Sequence, residues 1–234
     1  MRLKICGITE ADEVGLLGRL SVDFVGLWHG VGGGRSDLSF KQLRCLAADA
    51  LATSTLQPVL VTFIKDPGDL RLIVEETGIR WVQLHGFQTP AVVSELKRTG
   101  PADLVISKVL HLQGGRCLER PLLGAYERAG VDVFLLDTAT ADGRIGSTGQ
   151  HLDCEAALAL CDSLDRPFLL AGGLSSDSHV DFRLCLQHPG FFGIDVDSNA
   201  RGADMRICAR RVGLLSQHWS AAVGKEQHHG SDLH

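Results

Sequence analysis

Neither an excess of basic residues nor a long apolar run is present in this 234-residue chain. The formal net charge is -5, with acidic and basic residues interspersed, so the charge pattern indicates neither a nucleic-acid nor a membrane partner. No stretch reaches the roughly 18 consecutive apolar residues of a membrane-spanning helix. The opening segment MRLKICGITEADE lacks the apolar core of a secretory signal. We therefore expect a cytoplasmic protein.

Paired cysteine motifs and cofactor motifs are also missing. The seven cysteines are odd in number, irregularly spaced and without a CxxC pair, which disfavours a disulfide framework or a zinc knuckle. The chain has no HExxH or GxSxG motif, and the glycines at 32–34 are followed by no lysine at P-loop spacing. We expect the protein to work without a metal ion or an organic cofactor.

The chain does contain a regular alternation of short apolar runs and longer amphipathic segments. Runs of four to eight residues rich in Val, Ile, Leu and Phe are typical of buried parallel strands, and the segments between them are typical of helices. Eight such units in this length favour an α/β fold of the (β/α)8 TIM-barrel type over residues 1–223, followed by a polar, disordered tail at 224–234. The predicted strands cover residues 3–6, 22–28, 58–64, 79–84, 103–110, 131–137, 167–173 and 191–196.

Active sites of such barrels lie at the carboxyl ends of the strands, so the residues there are the first candidates for chemistry. Lys4 and Cys6 share one face of the first strand because side chains alternate along it. If that face is the barrel interior, the Lys4 ammonium is expected to lower the pKa of the thiol and favour the thiolate, a base or a nucleophile. The alternative is that Cys6 is a small buried apolar side chain.

Three further polar side chains end other strands. Asp137 follows the apolar run of the sixth strand, where a carboxyl group acts as a general acid or base, or else caps a helix or forms a salt bridge. Gln83 and His85 share a face at the end of the fourth strand and are candidates to line the mouth of the barrel. A lone histidine in such a place also occurs for purely structural reasons.

Loops after the last two strands commonly bind phosphate in this fold, because glycines let backbone N–H groups approach the anion closely. Gly172 and Gly173 follow the seventh strand, and Ser198 and Asn199 follow the eighth; ordinary tight turns are the alternative. Arg35, on a glycine-rich loop after the second strand, is suited to gripping a carboxylate in a bidentate manner, unless it is a solvated surface residue. Together these residues predict a small phosphorylated substrate.

Taken together, the motifs resemble the phosphoribosylanthranilate isomerase family, which carries out an Amadori rearrangement in tryptophan biosynthesis. The resemblance extends from residue 1 to about 220, and its pieces occur in the family's order. The matching segments are KICGIT at 4–9, VQLHG at 82–86, FLLDT at 134–138, GSTG at 146–149, LAGGL at 170–174 and GIDV at 193–196.

The resemblance implies roles for the residues at the strand ends. Cys6 matches the family's general base, Asp137 its general acid, and Arg35 the arginine that holds the anthranilate carboxylate. The residues that match the lining of the substrate site are His85 and Asp195, and those that match the phosphate cradle are Gly172, Gly173 and the segment around Ser198. In the implied reaction an acid opens the sugar ring of N-(5-phosphoribosyl)anthranilate, a base removes the C2 proton, and no cofactor takes part.

The loops that grip the substrate differ from the family pattern. Ser36 and Asp37 follow Arg35 where the family has an aromatic and a β-branched residue, and Asp197 occupies a serine position of the phosphate loop. Asp197 is unfavourable beside a phosphate unless Arg201 or a rotated side chain compensates for its charge. These differences leave two alternatives open, a paralogous isomerase or lyase of another phosphorylated N-glycoside or amino sugar, and a non-catalytic barrel that binds a phosphorylated metabolite. We expect a monomer or a homodimer.

Overall fold

Eight parallel strands alternate with eight helices in the computed structural model, which describes residues 1–140 and 151–227, with side chains up to 223. The barrel strands β1 to β8 are, in chain order, Arg2–Ile5, Phe24–Trp28, Gln57–Thr62, Trp81–Leu84, Val105–Gln113, Val133–Thr138, Phe168–Leu170 and Phe191–Val196. The helices α1 to α8 are Ala11–Leu17, Phe40–Leu51, Pro67–Thr77, Pro90–Thr99, Leu123–Ala129, Cys154–Cys161, Arg183–Gln187 and Ala209–Gln227. The predicted eight βα units are confirmed.

The strands close into a barrel. Each pairs in parallel with its neighbours in chain order, β8 pairs with β1, and β4 pairs with β5, so no barrel strand has a free edge. At the closure, Lys4 of β1 lies in register with Asp195 of β8. The predicted (β/α)8 TIM barrel is therefore confirmed, and the closure brings the first and last strands together.

Two apolar layers hold the barrel together. An inner cluster fills the interior with side chains such as Val59, Val109 and Leu135, while a larger outer cluster joins the outward faces of the strands to the helices. Cys6 belongs to the inner cluster and Ile5 to the outer one, as the alternation along β1 predicts. Residues two apart from an inner residue therefore point into the barrel as well.

The fifth strand is longer than the sequence predicts. It continues past residue 110 to Gln113 and pairs in antiparallel fashion with the two-residue strand Arg116–Cys117. The intervening Gly114 and Gly115 have φ angles of 54° and 75°, a left-handed conformation that glycine adopts without strain. The resulting hairpin carries Glu119 back over the end of β5.

Parts of two predictions lie outside the described residues, namely the GSTG segment at 146–149 and the end of the tail at 228–234. Helix α8 continues to Gln227, beyond residue 223, where the barrel domain is predicted to end. Within the described ranges, none of the helices combines the length and the apolar character needed to cross a membrane.

Candidate active site

The first strand places Lys4 and Cys6 inside the barrel. The Lys4 Nζ donates to Asp195 Oδ2 at 2.8 Å and to Cys6 Sγ at 3.3 Å, and all three side chains are buried. Burial lowers the pKa of Lys4, but the charges of Asp195 and Cys6 and their hydrogen bonds raise it, with a net increase. Lys4 is therefore a stable ammonium ion that links the sulfur to the carboxylate.

The thiol of Cys6 has two donors but also an unfavourable environment for negative charge. Besides Lys4, Trp28 Nε1 donates to Cys6 Sγ, at 3.0 Å. Burial and the charges of Asp195 and Asp197 nevertheless raise the pKa of Cys6 to about 12, although Lys4 and Trp28 lower it. Lys4 thus lowers the pKa of the thiol as the sequence predicts, but burial outweighs this effect, so the predicted net decrease is wrong.

Space for the sulfur depends on Gly26 of the adjacent strand β2. A Cβ atom at this position would lie 2.6 Å from Cys6 Sγ and 3.1 Å from Lys4 Nζ. Any larger residue would therefore displace the thiol from its two donors.

We expect Trp28→Phe to slow the alkylation of Cys6 by iodoacetamide about tenfold at pH 8, because the lost donor stabilises the thiolate and its removal raises the thiol pKa by about one unit. Mass spectrometry of the Cys6 peptide measures the rate separately from the other cysteines. Trp81→Phe is the matched control, since Trp81 Nε1 donates to Ser107 Oγ at 2.9 Å in the same barrel interior. An unchanged or faster rate in Trp28→Phe would contradict the role of the indole.

The sixth strand places Asp137 in the same interior. Its Oδ1 accepts from the Thr138 backbone N–H at 2.8 Å, and the side chain is buried. Burial raises the pKa of Asp137 to about 6, and the hydrogen bond from Thr138 and the charges of His111 and Lys4 only partly oppose this effect. A carboxyl group with this pKa exchanges a proton close to neutral pH, as a general acid must.

His85 and Gln83 of β4 form the wall beside Asp137. The Gln83 amide Nε2 lies 2.9 Å from His85 Nδ1 and can only donate, which leaves the ring proton on Nε2. Burial and the charges of His111, Lys4 and Lys108 lower the pKa of His85 well below its ordinary value, so the ring is neutral. His85 Nε2 lies 3.5 Å from Asp137 Oδ2, too far for a hydrogen bond.

The predicted phosphate turn lies next to Asp137. Gly172 and Gly173 have φ angles of 85° and 66°, and a Cβ on Gly172 would lie 3.3 Å from Asp137 Oδ1. Asn199, in the 3-10 turn Ser198–Ala200, donates from Nδ2 to the carbonyls of Gly173 at 2.9 Å and Leu174 at 3.0 Å. These two carbonyls engage the side-chain amide of Asn199. The group of Asn199 that is available to a phosphate is therefore its backbone N–H.

Arg35 forms an ion pair with Asp197 and therefore joins the loops after β2 and β8. Asp197 Oδ1 also accepts from Arg201 Nε at 2.9 Å. Arg201 therefore compensates the charge of Asp197, one of the two possibilities that the sequence analysis named. Arg201 in turn donates to the Gly7 carbonyl at 2.6 Å and pairs with Glu13 at 3.3 Å. The guanidinium of Arg35 is thus held at the mouth by a carboxylate of the protein itself.

The sequence analysis missed two buried side chains, His111 and its partner Glu119. His111, on the extension of β5, lies in register with Asp137, and its Nδ1 lies 2.6 Å from Glu119 Oε1. The signal was present, because His111 follows Val109 by two residues just as Cys6 follows Lys4. It was missed because the predicted fifth strand ended at residue 110.

A closed parallel barrel whose strand ends carry buried, titratable side chains defines a (β/α)8-barrel enzyme. A model of the family N-(5'-phosphoribosyl)anthranilate (PRA) isomerase matches residues 39–200. The match spans more than half of the chain, so the chain belongs to the PRA isomerase family. It is therefore an isomerase by class.

Individual relatives agree with this assignment. The chain is 34% identical over 179 residues to the N-(5'-phosphoribosyl)anthranilate isomerase of Gloeobacter violaceus, covering 76% of each protein. It is 29% identical over 208 residues to N-(5'-phosphoribosyl)anthranilate isomerase 2 of Methanosarcina mazei, covering 87% of each.

Solved structures share the fold. The phosphoribosyl anthranilate isomerase of Thermus thermophilus superposes with a TM-score of 0.75 at 22% identity, over 94% of this chain and 99% of that one. A phosphoribosyl anthranilate isomerase in complex with reduced 1-(o-carboxyphenylamino)-1-deoxyribulose 5-phosphate (rCdRP) gives 0.73 at 19% identity, over the same shares. Within residues 1–140 and 151–227 we find no group of three or more His, Cys, Asp or Glu side chains that could hold a metal ion.

Proposed function

We propose that this isomerase converts N-(5-phosphoribosyl)anthranilate to 1-(2-carboxyphenylamino)-1-deoxyribulose 5-phosphate, with Cys6 as the general base and Asp137 as the general acid. One observation carries the assignment of these two roles. Cys6 belongs to the inner cluster at the end of β1, and Asp137 follows the inner residues Val133 and Leu135 at even spacing near the end of β6, so both buried side chains point into the barrel at the same end. An acid and a base acting on one bound sugar need such an arrangement.

In the first step Asp137 gives its proton to the ring oxygen of the ribose. The bond between that oxygen and C1 breaks, and the nitrogen lone pair forms a protonated Schiff base at C1. A pKa of about 6 keeps the proton on Asp137 available near neutral pH. The neutral ring of His85, with its proton on Nε2, then faces the carboxylate that remains.

In the second step Cys6 takes the proton from C2. The electron pair of the C–H bond forms the C1–C2 double bond, and the Schiff-base nitrogen accepts the pair that it shared with C1. The enolamine then gives its enol proton to the Asp137 carboxylate and receives a proton at C1 from the Cys6 thiol, which yields the ketose and restores both groups. The positive charge of the Schiff base favours the thiolate, so ring opening precedes proton removal.

The proton of the Cys6 thiol must leave before the thiolate can act, and Lys4 offers the path. Lys4 Nζ contacts both Cys6 Sγ and Asp195 Oδ2, so the ammonium can pass one proton to Asp195 while it takes the thiol proton. Asp195 then releases this proton to solvent, so the net change is the ionisation of the Cys6 thiol, while Lys4 stays an ammonium and Asp195 returns to a carboxylate. Burial raises the pKa of Asp195 despite the charge of Lys4, which makes Asp195 a suitable acceptor.

The remaining predicted residues are assigned to substrate binding. Arg35 takes the anthranilate carboxylate in exchange for Asp197, and Gln83 orients His85 beside the sugar. Backbone N–H groups of the two loops after β7 and β8 receive the phosphate, without a charged side chain of their own. The residues in these loops are Gly172, Gly173, Ser198 and Asn199.

Steady-state turnover of N-(5-phosphoribosyl)anthranilate tests the proposed activity directly. The anthranilate fluorescence lost on conversion, together with mass spectrometry of the product, should show a catalysed rate well above the uncatalysed one. Tight binding of rCdRP without turnover of any aminoaldose phosphate would instead identify a non-catalytic, metabolite-binding barrel.

A second candidate substrate is favoured by the ion pair between Arg35 and Asp197. A guanidinium already paired within the protein suits an N-glycoside phosphate whose amine carries no carboxylate. Comparison with the phosphoribosyl derivative of aniline separates the two, because the second candidate requires turnover of the aniline compound at least equal to that of the anthranilate compound. We further propose that the enzyme acts in the cytoplasm as a monomer or a homodimer.

A further inference from the structure

His111 is a buried side chain of the barrel interior that neither acid–base step uses. Its residue partner on the neighbouring strand is Asp137, and its ring centroid lies 5.8 Å from that of His85. Val109, two residues earlier, belongs to the inner cluster, so His111 points into the barrel. The side chain has no exposed surface.

Glu119 fixes the orientation and the protonation of this ring. Its carboxylate accepts from the His111 backbone N–H at 2.8 Å and lies 2.6 Å from His111 Nδ1. Burial raises the pKa of Glu119, but the hydrogen bond from His111 and the charge of Lys108 lower it, with a net decrease. The carboxylate can only accept, so Nδ1 carries a proton and donates it to Glu119, which leaves Nε2 as the ring atom that faces away from this pair.

This Nε2 atom is buried and has no hydrogen-bond partner among residues 1–140 and 151–227. A buried polar atom without a partner is costly and uncommon in a folded protein, so a ligand that supplies a hydrogen-bonding group is favoured there. A hydroxyl group both donates and accepts, so it can pair with this nitrogen whether or not the nitrogen carries a proton. In an aminoaldose phosphate the matching groups are the hydroxyls of the sugar.

We propose that His111 is a further substrate-contacting residue, whose Nε2 forms a hydrogen bond with a sugar hydroxyl beside Asp137. Glu119 is its positioning residue, delivered by the hairpin that extends β5. The proposal rests on the proposed function, because it takes the sugar phosphate as the ligand. Through this contact the site would recognise the hydroxyl groups of the sugar, in addition to the phosphate and the aromatic acid.

Calorimetric titration with rCdRP and, separately, with inorganic phosphate tests the contact. We expect His111→Phe to raise the dissociation constant for rCdRP about tenfold and to leave that for phosphate unchanged. Glu119→Gln should act in the same direction, because a neutral amide holds Nδ1 less strongly than the carboxylate and the ring loses its fixed orientation. The control is His188→Phe, since His188 lies near a carboxylate, 3.7 Å from Asp162, but at the opposite end of the barrel.

A measurement on the unmodified protein covers the case in which the variants do not fold. The nitrogen resonance of His111 Nε2 should move when rCdRP is added and stay in place when phosphate is added. Binding of rCdRP by His111→Phe as tight as by the wild type, or an unmoved resonance, would overturn the inference while leaving the proposed function intact. Wild-type protein that binds phosphate but neither binds rCdRP nor turns over the aminoaldose would overturn both.

Discussion

Cys6→Ala is expected to lower kcat for N-(5-phosphoribosyl)anthranilate by about 10²–10⁴-fold with little change in KM, because a general base contributes in that range and acts on the transition state. The substitution removes the sulfur that Lys4 and Trp28 contact, while the phosphate and carboxylate contacts stay in place. Steady-state kinetics at saturating substrate gives kcat, and the unchanged affinity for rCdRP shows that the pocket is intact.

Cys45→Ala is the matched control, since Cys45 is exposed on helix α2 and distant from the barrel mouth. It should retain wild-type kcat. Full turnover by Cys6→Ala would exclude the sulfur as the base and would leave the isomerase assignment to rest on another group.

Asp137→Asn is expected to lower kcat/KM to a similar extent, by about 10²–10⁴-fold, and to change its pH dependence. The wild-type enzyme needs Asp137 protonated, with a pKa of about 6, and Cys6 ionised, with a pKa of about 12. Between these two pKa values, the thiolate fraction of Cys6 rises with pH by the same factor by which the protonated fraction of Asp137 falls. The fraction of enzyme with both groups in the active form therefore stays constant. The wild-type profile should therefore be flat from about pH 6.5 to 9 and fall about tenfold per unit well below pH 6.

The asparagine variant has no acid to lose, so only the thiol titrates. Its residual kcat/KM should rise about tenfold per pH unit over the range in which the wild type is flat. Asp132→Asn, at the opposite end of the same strand and paired with Lys97, should keep the flat profile. A flat profile in Asp137→Asn would refute the assignment of Asp137 as the acid.

The barrel and the acid–base pair are the parts of this molecule that local sequence patterns predict. Strand alternation placed Cys6 inside the barrel and Ile5 outside it, and the structure agrees. The rule that active sites lie at the carboxyl ends of the strands selected Cys6 and Asp137 without any knowledge of distances. The placement of these side chains depends on a few consecutive residues, which is why the structure agrees with it; their roles as base and acid stay predictions.

Properties that depend on distant residues were not predictable in this way. The ionisation of Cys6 depends on how deeply the sulfur is buried and on Asp195, which only the closed barrel brings near. The pairing of Arg35 with Asp197 joins two loops that are 162 residues apart in the chain. His111 was missed for a simpler reason, since the hairpin that lengthens β5 obscures where the strand ends.

Barrel closure also has a consequence for how the enzyme is made. Lys4 and its partner Asp195 are separated by 191 residues, and Arg201 reaches back to the Gly7 carbonyl across 194. On the ribosome, β1 emerges first and waits for its second neighbouring strand until almost the whole polypeptide has been synthesised. In the nascent chain, Lys4 and the sulfur proposed as the base therefore lack the Asp195 carboxylate for nearly the entire time of translation, and their complete environment forms only with the last βα unit.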